Sequence, residues 1–323
     1  MMAIKRLDKG PLPEFEGSGS KCKEISKYAR TLVRWFKNYR DFVVQGAWYP
    51  DLVFSDMGHS HGLKHTLFLA GEPPKFKKLP DTMQVRKLMM SKSKIYKEKI
   101  PFIVDEDTNL HDRCEALCHT VVDNFKVQYR EEKGNPIVPS STHMAMRFFI
   151  LSHYIADGHM PLHCDARSLG TIHAAIEAQW ETAVKKSYNI DKNNERFFYD
   201  PDGFPLPNEK KMTDLMRKVE ENVITRPFIY AWGSGNGNAR EYMEAVTQYS
   251  FMLAQEMVPT DVGNVNWTKY QETEASKKFE EYSEMILTDA IDSIARAWLH
   301  VWIRYREWGP DKPKKGTGDN YTK

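Results

Sequence analysis

Apolar residues recur at three- and four-residue spacing along several stretches of this chain, and this periodicity limits the possible folds more than any other feature. In the first stretch, Ile25, Ala29, Leu32 and Phe36 would share one face of a helix over residues 21–46. The same pattern predicts further helices over residues 109–132, 143–157, 172–186 and 275–308. Strand patterns are few and short, so the predicted fold class is mainly α.

The chain has 323 residues, which is enough to bury a large core. Residues 21–308 are predicted to form a single multi-helix domain. Prolines and glycines punctuate residues 1–20 and predict an irregular N-terminal arm. Residues 309–323, GPDKPKKGTGDNYTK, predict a disordered tail.

Composition excludes several classes of protein. A net charge of +2 argues against a protein that coats nucleic acid, although it leaves room for a local basic channel. No stretch approaches the roughly 18 consecutive apolar residues of a transmembrane helix, and no secretory signal is visible. Cys114 and Cys118 are poorly spaced for a mutual disulfide. We therefore expect reduced thiols and a cytoplasmic protein.

Histidines are concentrated in the middle of the chain, where ten of the 11 lie between His59 and His173. Residues 153–165 read HYIADGHMPLHCD and hold three histidines and two aspartates. His153 and Asp157 are four residues apart, so a helix would place both on one face, where they could bind one ion. Gly158 and Pro161 are predicted to end or kink this helix and to turn His163 back toward the pair.

The next predicted helix repeats the four-residue spacing with His173 and Glu177. A single pair of this kind is more typical of a capping or surface interaction. Two pairs that flank a third histidine indicate a metal site instead. Neutral imidazole and carboxylate are common zinc ligands, and a zinc site that keeps an open position is catalytic.

This arrangement resembles the signature of the zinc-dependent phospholipase C and single-strand-specific nuclease superfamily. The shared pattern is His-x3-Asp, a Pro-Leu-His six residues past the aspartate, and a His-x3-Asp/Glu on the following helix. Asp51 and His65 also match the spacing of an aspartate and a histidine in an earlier loop of the family, and AWYPD is similar to that region. The resemblance covers residues 48–180 and implies a mostly helical fold that hydrolyses phosphodiesters with zinc.

The resemblance also implies a role for each matching residue. The ligands of the first zinc would be Asp51, His65, His153 and Asp157. The ligands of the second zinc would be His163, His173 and Glu177. Asp157 would bridge to a third zinc, and Asp51 would be the catalytic residue that orients or deprotonates the attacking water.

The chain departs from the family at the third zinc. The family holds that ion through an N-terminal tryptophan and an early histidine, whereas this chain begins Met-Met and has no tryptophan before Trp35 and no histidine before His59. His59 and His61 are alternative ligands for this ion, and His61 is also an alternative to His65 at the first zinc. We therefore expect two zinc ions and leave the third open.

Other polar residues of the central segment are candidates for roles beside the metal ligands or within the helices. His159 and Asp165 lie among the ligands, where His159 is a candidate to support a metal ligand and Asp165 is a candidate to orient His163. His159 could instead contact the substrate. His111, His119 and His143 lie on predicted helices and are expected to be structural.

The resemblance implies a reaction in which a metal-activated water attacks phosphorus. Glu177, in place of aspartate, is typical of the phospholipase C branch. Thr66 follows His65 where the nuclease branch has a base-stacking aromatic residue, although Phe197, Phe198 and Tyr199 offer another platform. The lysine-rich segments and the expected compartment favour a nuclease acting on single-stranded nucleic acid. The alternatives are a phospholipase C-type lipid phosphodiesterase and a non-catalytic metal-binding protein of the same fold.

Overall fold

A computed structural model describes residues 1–11, 19–40, 47, 50, 65–67, 102–104, 110–129, 140–165, 171–191, 196–226, 239–258 and 266–308. This part of the chain is mainly helical, as the periodicity predicts. Its α-helices are α1 (Met2–Lys9), α2 (Gly19–Asn38), α3 (Leu110–Tyr129), α4 (Ser141–His159), α5 (Ile172–Ser187), α6 (Asp214–Thr225), α7 (Ala239–Met257), α8 (Trp267–Gln271) and α9 (Phe279–Trp308). Two 3₁₀ helices span Pro161–Cys164 and Ala275–Lys278.

Strands within the described ranges are short. β1 (His65–Leu67) pairs antiparallel with β2 (Phe102–Val104), so that His65 lies opposite Val104. β3 (Ile190–Asp191) pairs antiparallel with β4 (Arg196–Phe197). The resemblance implies that His65 lies in a loop, whereas it is the first residue of β1, which corrects that expectation. β-Branched and aromatic residues in the two paired segments favour extended backbone once a partner strand is adjacent.

Several helix boundaries agree with the sequence pattern. α4 begins one residue after Ser140, whose hydroxyl accepts a hydrogen bond from the backbone N–H of His143, as expected of an N-cap. α3, α5 and α9 occupy the predicted stretches, with a 3₁₀ turn over residues 275–278 before α9. The end of the first predicted helix, residues 41–46, and the predicted tail, residues 309–323, lie outside the described residues.

Aromatic side chains form the centre of the core where α2, α4 and α9 meet. The ring of Trp298 lies 4.6 Å from that of Phe36 and 5.2 Å from that of Phe149, measured between centroids. The indole N–H of Trp298 donates to the carbonyl oxygen of Phe148 at 2.8 Å, so the buried ring keeps its polar group satisfied. A second apolar cluster joins α5, α6, α7 and α9 and includes Met160 and Leu162.

The prediction of an irregular arm over residues 1–20 is wrong for Met2–Lys9, which form α1. Ala3, Ile4 and Leu7 lie on one face of this helix and are buried in the main core. The prolines that suggested an irregular segment come after Lys9, where they do not interrupt the helix. The segment is too short to be stable alone, so its structure depends on packing that the local pattern did not reveal.

Arg6 anchors α1 through a fully buried guanidinium group. Its Nε donates to Asp292 Oδ1 of α9 at 2.7 Å, and its Nη1 and Nη2 donate to the carbonyl oxygens of Val223 and Arg226 at 2.9 and 2.7 Å. The two carbonyl groups belong to the end of α6, where the helix leaves oxygens without partners of its own. One side chain therefore joins three helices.

We expect Arg6→Met to lower the free energy of unfolding by about 3–5 kcal/mol, because Asp292 would keep a buried charge without its counterion. Urea denaturation followed by circular dichroism measures this change. The control is Lys9→Met, also on α1, which breaks only the exposed ion pair with Asp202 and should change stability little. Equal losses in the two variants would contradict the anchoring role of Arg6.

The described cysteines Cys114, Cys118 and Cys164 are free and buried. Burial raises the pKa of each thiol, so these side chains stay protonated and behave as small apolar groups. No helix within the described ranges is both long enough and apolar enough to cross a membrane.

Candidate metal centre

The last two turns of α4 present the first predicted ligand pair. His153 Nε2 lies 3.0 Å from Asp157 Oδ2, as expected for residues four apart on one helical face. Their side chains are 11% and 13% exposed, so both are largely buried. This confirms that the two side chains adjoin; whether they bind metal stays a prediction.

The turn after α4 brings the third histidine to this pair. α4 ends at His159, and Pro161 then begins the 3₁₀ helix. The backbone N–H of His163 donates to the carbonyl oxygen of Met160 at 3.1 Å, which reverses the chain. His163 Nδ1 consequently lies 3.7 Å from Asp157 Oδ1. The predicted turn of His163 toward the pair agrees with this geometry.

Gly158 has a different role from the predicted one, because it lies within α4 and does not end it. A β-carbon at this position would lie 2.5 Å from Met243 Cε of α7 and 3.1 Å from Leu110 Cδ2 of α3. The absent side chain therefore allows α4 to pack closely against both helices. The reversal itself belongs to Pro161, which cannot donate the backbone hydrogen bond that another helical turn needs.

α5 carries the second ligand pair next to its buried face. Ile172, Ile176 and Trp180 point into the core, and the indole N–H of Trp180 donates to Ser283 Oγ of α9 at 2.7 Å. This packing sets the rotation of α5. His173 and Glu177 each follow a buried isoleucine by one position, so they lie together at the edge of the buried face.

His163, His173 and Glu177 form a compact group between the turn and α5. Glu177 Oε1 lies 3.1 Å from His163 Nε2 and 3.2 Å from His173 Nε2. One ligand atom from each residue lies within 4.8 Å of the other two. Ligands bound at about 2.0–2.2 Å around one tetrahedral zinc lie roughly 3–4 Å apart, so this donor set fits zinc with little adjustment.

Solvent access increases across the group. The side chain of His163 is 14% exposed, that of His173 is 35% exposed and that of Glu177 is 45% exposed. An ion held here would be sheltered on the α4 side and open on the α5 side. Such an opening is what a catalytic metal site needs, because substrate or water must take the remaining position.

The carboxylate of Glu177 is held in its charged form. Partial burial alone would raise its pKa, but hydrogen bonds from His163 and His173 together lower the pKa below its usual range. An ionised carboxylate is the form that binds a cation. Glu177 therefore needs to lose no proton before it binds an ion, whereas a ring nitrogen that donates to it would have to give up its proton.

Four predicted site residues cannot be compared with this geometry. Asp51, His59 and His61 lie outside the described residues, and His65 is described only as the first residue of β1. The ligand sets proposed for the first and third zinc therefore stay predictions.

His159 and Asp165 belong to the ligand turn, by which we mean residues 158–165, and both side chains are buried. His159 is 3% exposed, and its Nε2 is hydrogen-bonded to Ser293 Oγ of α9 at 2.7 Å. Asp165 is 4% exposed, and its Oδ2 accepts a hydrogen bond from Gln255 Nε2 of α7 at 3.0 Å. The burial of His159 argues against substrate contact and favours a supporting role for it.

Ser250, Gln255 and Ser293 are supporting residues that sequence reasoning missed. Ser250 Oγ of α7 donates to the carbonyl oxygen of Gly158 at 2.7 Å. Together with the contacts to His159 and Asp165, these residues hold the ligand turn to α7 and α9 at three points. Buried polar residues on an otherwise apolar helical face were the available signal, but only the fold shows which groups they contact.

The remaining helical histidines have structural contacts, as expected. His111 is fully buried and hydrogen-bonded to Thr247 Oγ1 at 2.8 Å. His119 Nε2 lies 2.7 Å from Glu115 Oε1 on the same helix. The burial of His111 between α3 and α7 shows that part of the histidine concentration belongs to helix packing.

Comparisons of this chain with protein-family models, curated proteins and solved structures find no match. The resemblance to the zinc-dependent phospholipase C and nuclease superfamily therefore rests on the residues and their geometry alone.

We expect Ser250→Ala to weaken zinc binding by about tenfold, because the backbone of the ligand turn would lose one of its attachments to α7. Competition with a zinc chelator measures the affinity. The matched control is Ser187→Ala at the far end of α5, where a buried hydroxyl donates to the carbonyl oxygen of Ala183. If both variants bind zinc as tightly as the unmodified protein, Ser250 does not position the ligands.

Proposed function

We propose that this protein is a zinc-dependent phosphodiester hydrolase similar to the phospholipase C and single-strand-specific nuclease superfamily. One observation carries the proposal: five metal-ligand side chains from α4, the following turn and α5 form an unbroken series of contacts. Each step in this series, from His153 through Asp157, His163 and Glu177 to His173, spans 3.0 to 3.7 Å.

Two zinc sites account for this set. His163, His173 and Glu177 would hold one zinc. His153 and Asp157 would contribute to the other, with Asp51 and His65 as its predicted further ligands. When bound, zinc lowers the pKa of a water molecule and offsets negative charge on the phosphoryl oxygens.

Asp157 occupies the position between the two sites. Its Oδ2 lies 3.0 Å from His153 Nε2 and its Oδ1 lies 3.7 Å from His163 Nδ1, so one carboxylate adjoins both rings. Because Asp157 of the first ligand set adjoins His163 of the second, the two ions would be close neighbours. Paired ions suit phosphodiester hydrolysis, in which the attacking and leaving oxygens both need stabilisation.

An enzyme is favoured over a metal site that serves only the fold. Structural zinc sites are closed by four protein ligands, whereas catalytic sites have three and keep one position open. The described residues supply three ligands to the second site, and its outer side chain, Glu177, is 45% exposed. A phosphate group can approach from this side.

Single-stranded nucleic acid is the proposed substrate class, and a phospholipid is the alternative. Phe198 is compatible with nucleic acid because its side chain is 53% exposed, and it lies just beyond the C-terminal end of α5, whereas His173 and Glu177 lie in the first turns of that helix. Phe198 follows β4 in the segment that the sequence suggested as a base-stacking platform. An exposed aromatic ring can stack on any base without sequence preference.

We expect two or three zinc ions per chain and hydrolysis of bis-p-nitrophenyl phosphate that chelator abolishes. His153→Ala should lower turnover at least about a hundredfold, because it removes a ligand of the first zinc. Elemental analysis and absorbance at the nitrophenolate band measure the two quantities. The control His119→Ala removes an exposed histidine that pairs with Glu115 and should leave both unchanged.

Three outcomes of this experiment distinguish the alternatives. Bound zinc with turnover supports the hydrolase. Bound zinc without turnover on any phosphodiester would indicate the non-catalytic metal-binding protein. Less than one zinc per chain, without turnover, would mean that the five side chains do not form a metal site.

We expect Phe198→Ala to lower the rate on single-stranded DNA, relative to the rate on bis-p-nitrophenyl phosphate, by about tenfold, because stacking contributes about 1–3 kcal/mol per base. Leu206→Ala is the control, since Leu206 is also exposed in the same segment but has no ring to stack. An unchanged ratio in Phe198→Ala would remove the stacking role. Faster hydrolysis of phosphatidylcholine than of DNA would favour the phospholipase alternative.

A further inference from the structure

α3 and α4 enclose a groove that the proposed reaction does not use. Its volume is about 430 Å³, within the range of about 300–1,000 Å³ that is common for small-molecule sites. Leu117, Met146 and Ile150 supply apolar walls. Arg113 and Arg147 line the same groove, so it combines an apolar surface with two permanent positive charges.

Arg147 is a half-buried cation of α4 that lines the groove. Its Nε donates to His143 Nε2 at 2.8 Å, which fixes the guanidinium plane against the groove. No carboxylate of the described residues forms an ion pair with Arg147. Burial lowers its pKa, but arginine stays charged at neutral pH. A half-buried guanidinium that no described carboxylate neutralises is a favourable place for an anion.

His143 contributes no competing charge. Its Nε2 accepts the hydrogen bond from Arg147, so this nitrogen carries no proton. Burial, followed by the nearby charge of Arg147, lowers the pKa of His143, which agrees with a neutral ring. The positive charge at this end of the groove therefore belongs to Arg147.

Arg113 is held at another point of the groove. Its guanidinium carbon lies 5.6 Å from the ring centroid of Tyr154, a cation–π distance. Tyr154 follows Arg147 by seven residues, which is about 10 Å along α4. The apolar walls lie beside and between these positions, so a ligand held at Arg147 would place any aliphatic part against them.

We propose that the groove between α3 and α4 binds a small amphiphilic anion, with a carboxylate or phosphate headgroup at Arg147 and an aliphatic body against Leu117, Met146 and Ile150. A densely charged polyanion fits poorly, because most of the lining is apolar and would lose contact with water without compensation. A neutral lipid fits poorly as well, because it would leave Arg147 without a counterion. This site goes beyond the proposed hydrolase activity and needs no metal.

Isothermal titration calorimetry on the full chain tests the proposal with octanoate, octyl phosphate and the neutral analogue octanol. We expect one anion per chain and an affinity at least about tenfold higher than that for octanol, because only the anion pairs with Arg147. The tighter of the two anions identifies the headgroup. Equal affinity for anion and alcohol, several ligands per chain, or no binding of either anion would overturn the proposal.

Two variants and one control assign the binding to this groove. Arg147→Gln should weaken anion binding at least about tenfold and leave octanol binding unchanged. Ala116→Trp, at an exposed position of the lining, should fill the groove and abolish binding of all three ligands. Arg217→Gln on α6 removes an exposed arginine elsewhere and should bind as the unmodified protein does. Circular dichroism checks that each variant is folded.

Titrations of zinc-loaded and chelator-treated protein separate this site from the metal centre. Equal anion binding in both preparations is expected and would stand even if the hydrolase proposal failed. Anion binding that requires zinc would place the ligand at the metal centre and overturn the groove assignment. Unchanged anion affinity in Arg147→Gln would overturn it as well.

Discussion

The buried polar side chains of α9 form hydrogen bonds with other helices, and these bonds fix the positions of those helices relative to α9. Asp292 pairs with Arg6 of α1, Ser293 contacts His159 of α4 and Tyr242 of α7, and the indole of Trp298 donates to a carbonyl group of α4. An unpartnered buried polar group costs about 1–3 kcal/mol, and more when it is charged. Apolar packing alone would tolerate several rotations of these helices, whereas the polar contacts are directional and select one.

The candidate metal centre depends on this arrangement at the end of α4. Hydrogen bonds from residues of α7 and α9 attach the ligand turn to the core. On the opposite face, His163 of the turn adjoins His173 and Glu177 of α5. Side-chain exposure rises from 11% at His153 to 45% at Glu177, so one side of the centre is largely buried and the other is exposed to solvent. Buried hydrogen bonds with α7 and α9 set the positions of the ligands, and the side of Glu177 remains accessible to solvent. The α3–α4 groove is lined by a different stretch of α4, around Arg147, and its positive charge comes from Arg113 and Arg147.

Local patterns predicted the parts of the fold that are locally determined. Apolar periodicity located α3, α4, α5 and α9, and the capping residue Ser140 located the start of α4, because these signals act within a few residues. Periodicity failed for α1, a helix of eight residues that is stabilised by distant contacts such as Arg6 with Asp292. It also failed for Gly158, which looks like a helix terminator in sequence but permits close packing with α7. Both errors concern contacts between residues far apart in the chain.

The sequence by itself determined which side chains could bind metal and that each pair would share a helical face, since a four-residue spacing and the helical pitch suffice for this. It also placed a proline where the chain must reverse before His163. Only the tertiary structure decided that His163 joins the two pairs, at 3.7 Å from Asp157 and 3.1 Å from Glu177 of α5. It also decided that Ser250, Gln255 and Ser293 hold the turn. The physical reason is that helix-to-helix distances follow from the packing and polar satisfaction of the whole core, which no single segment encodes.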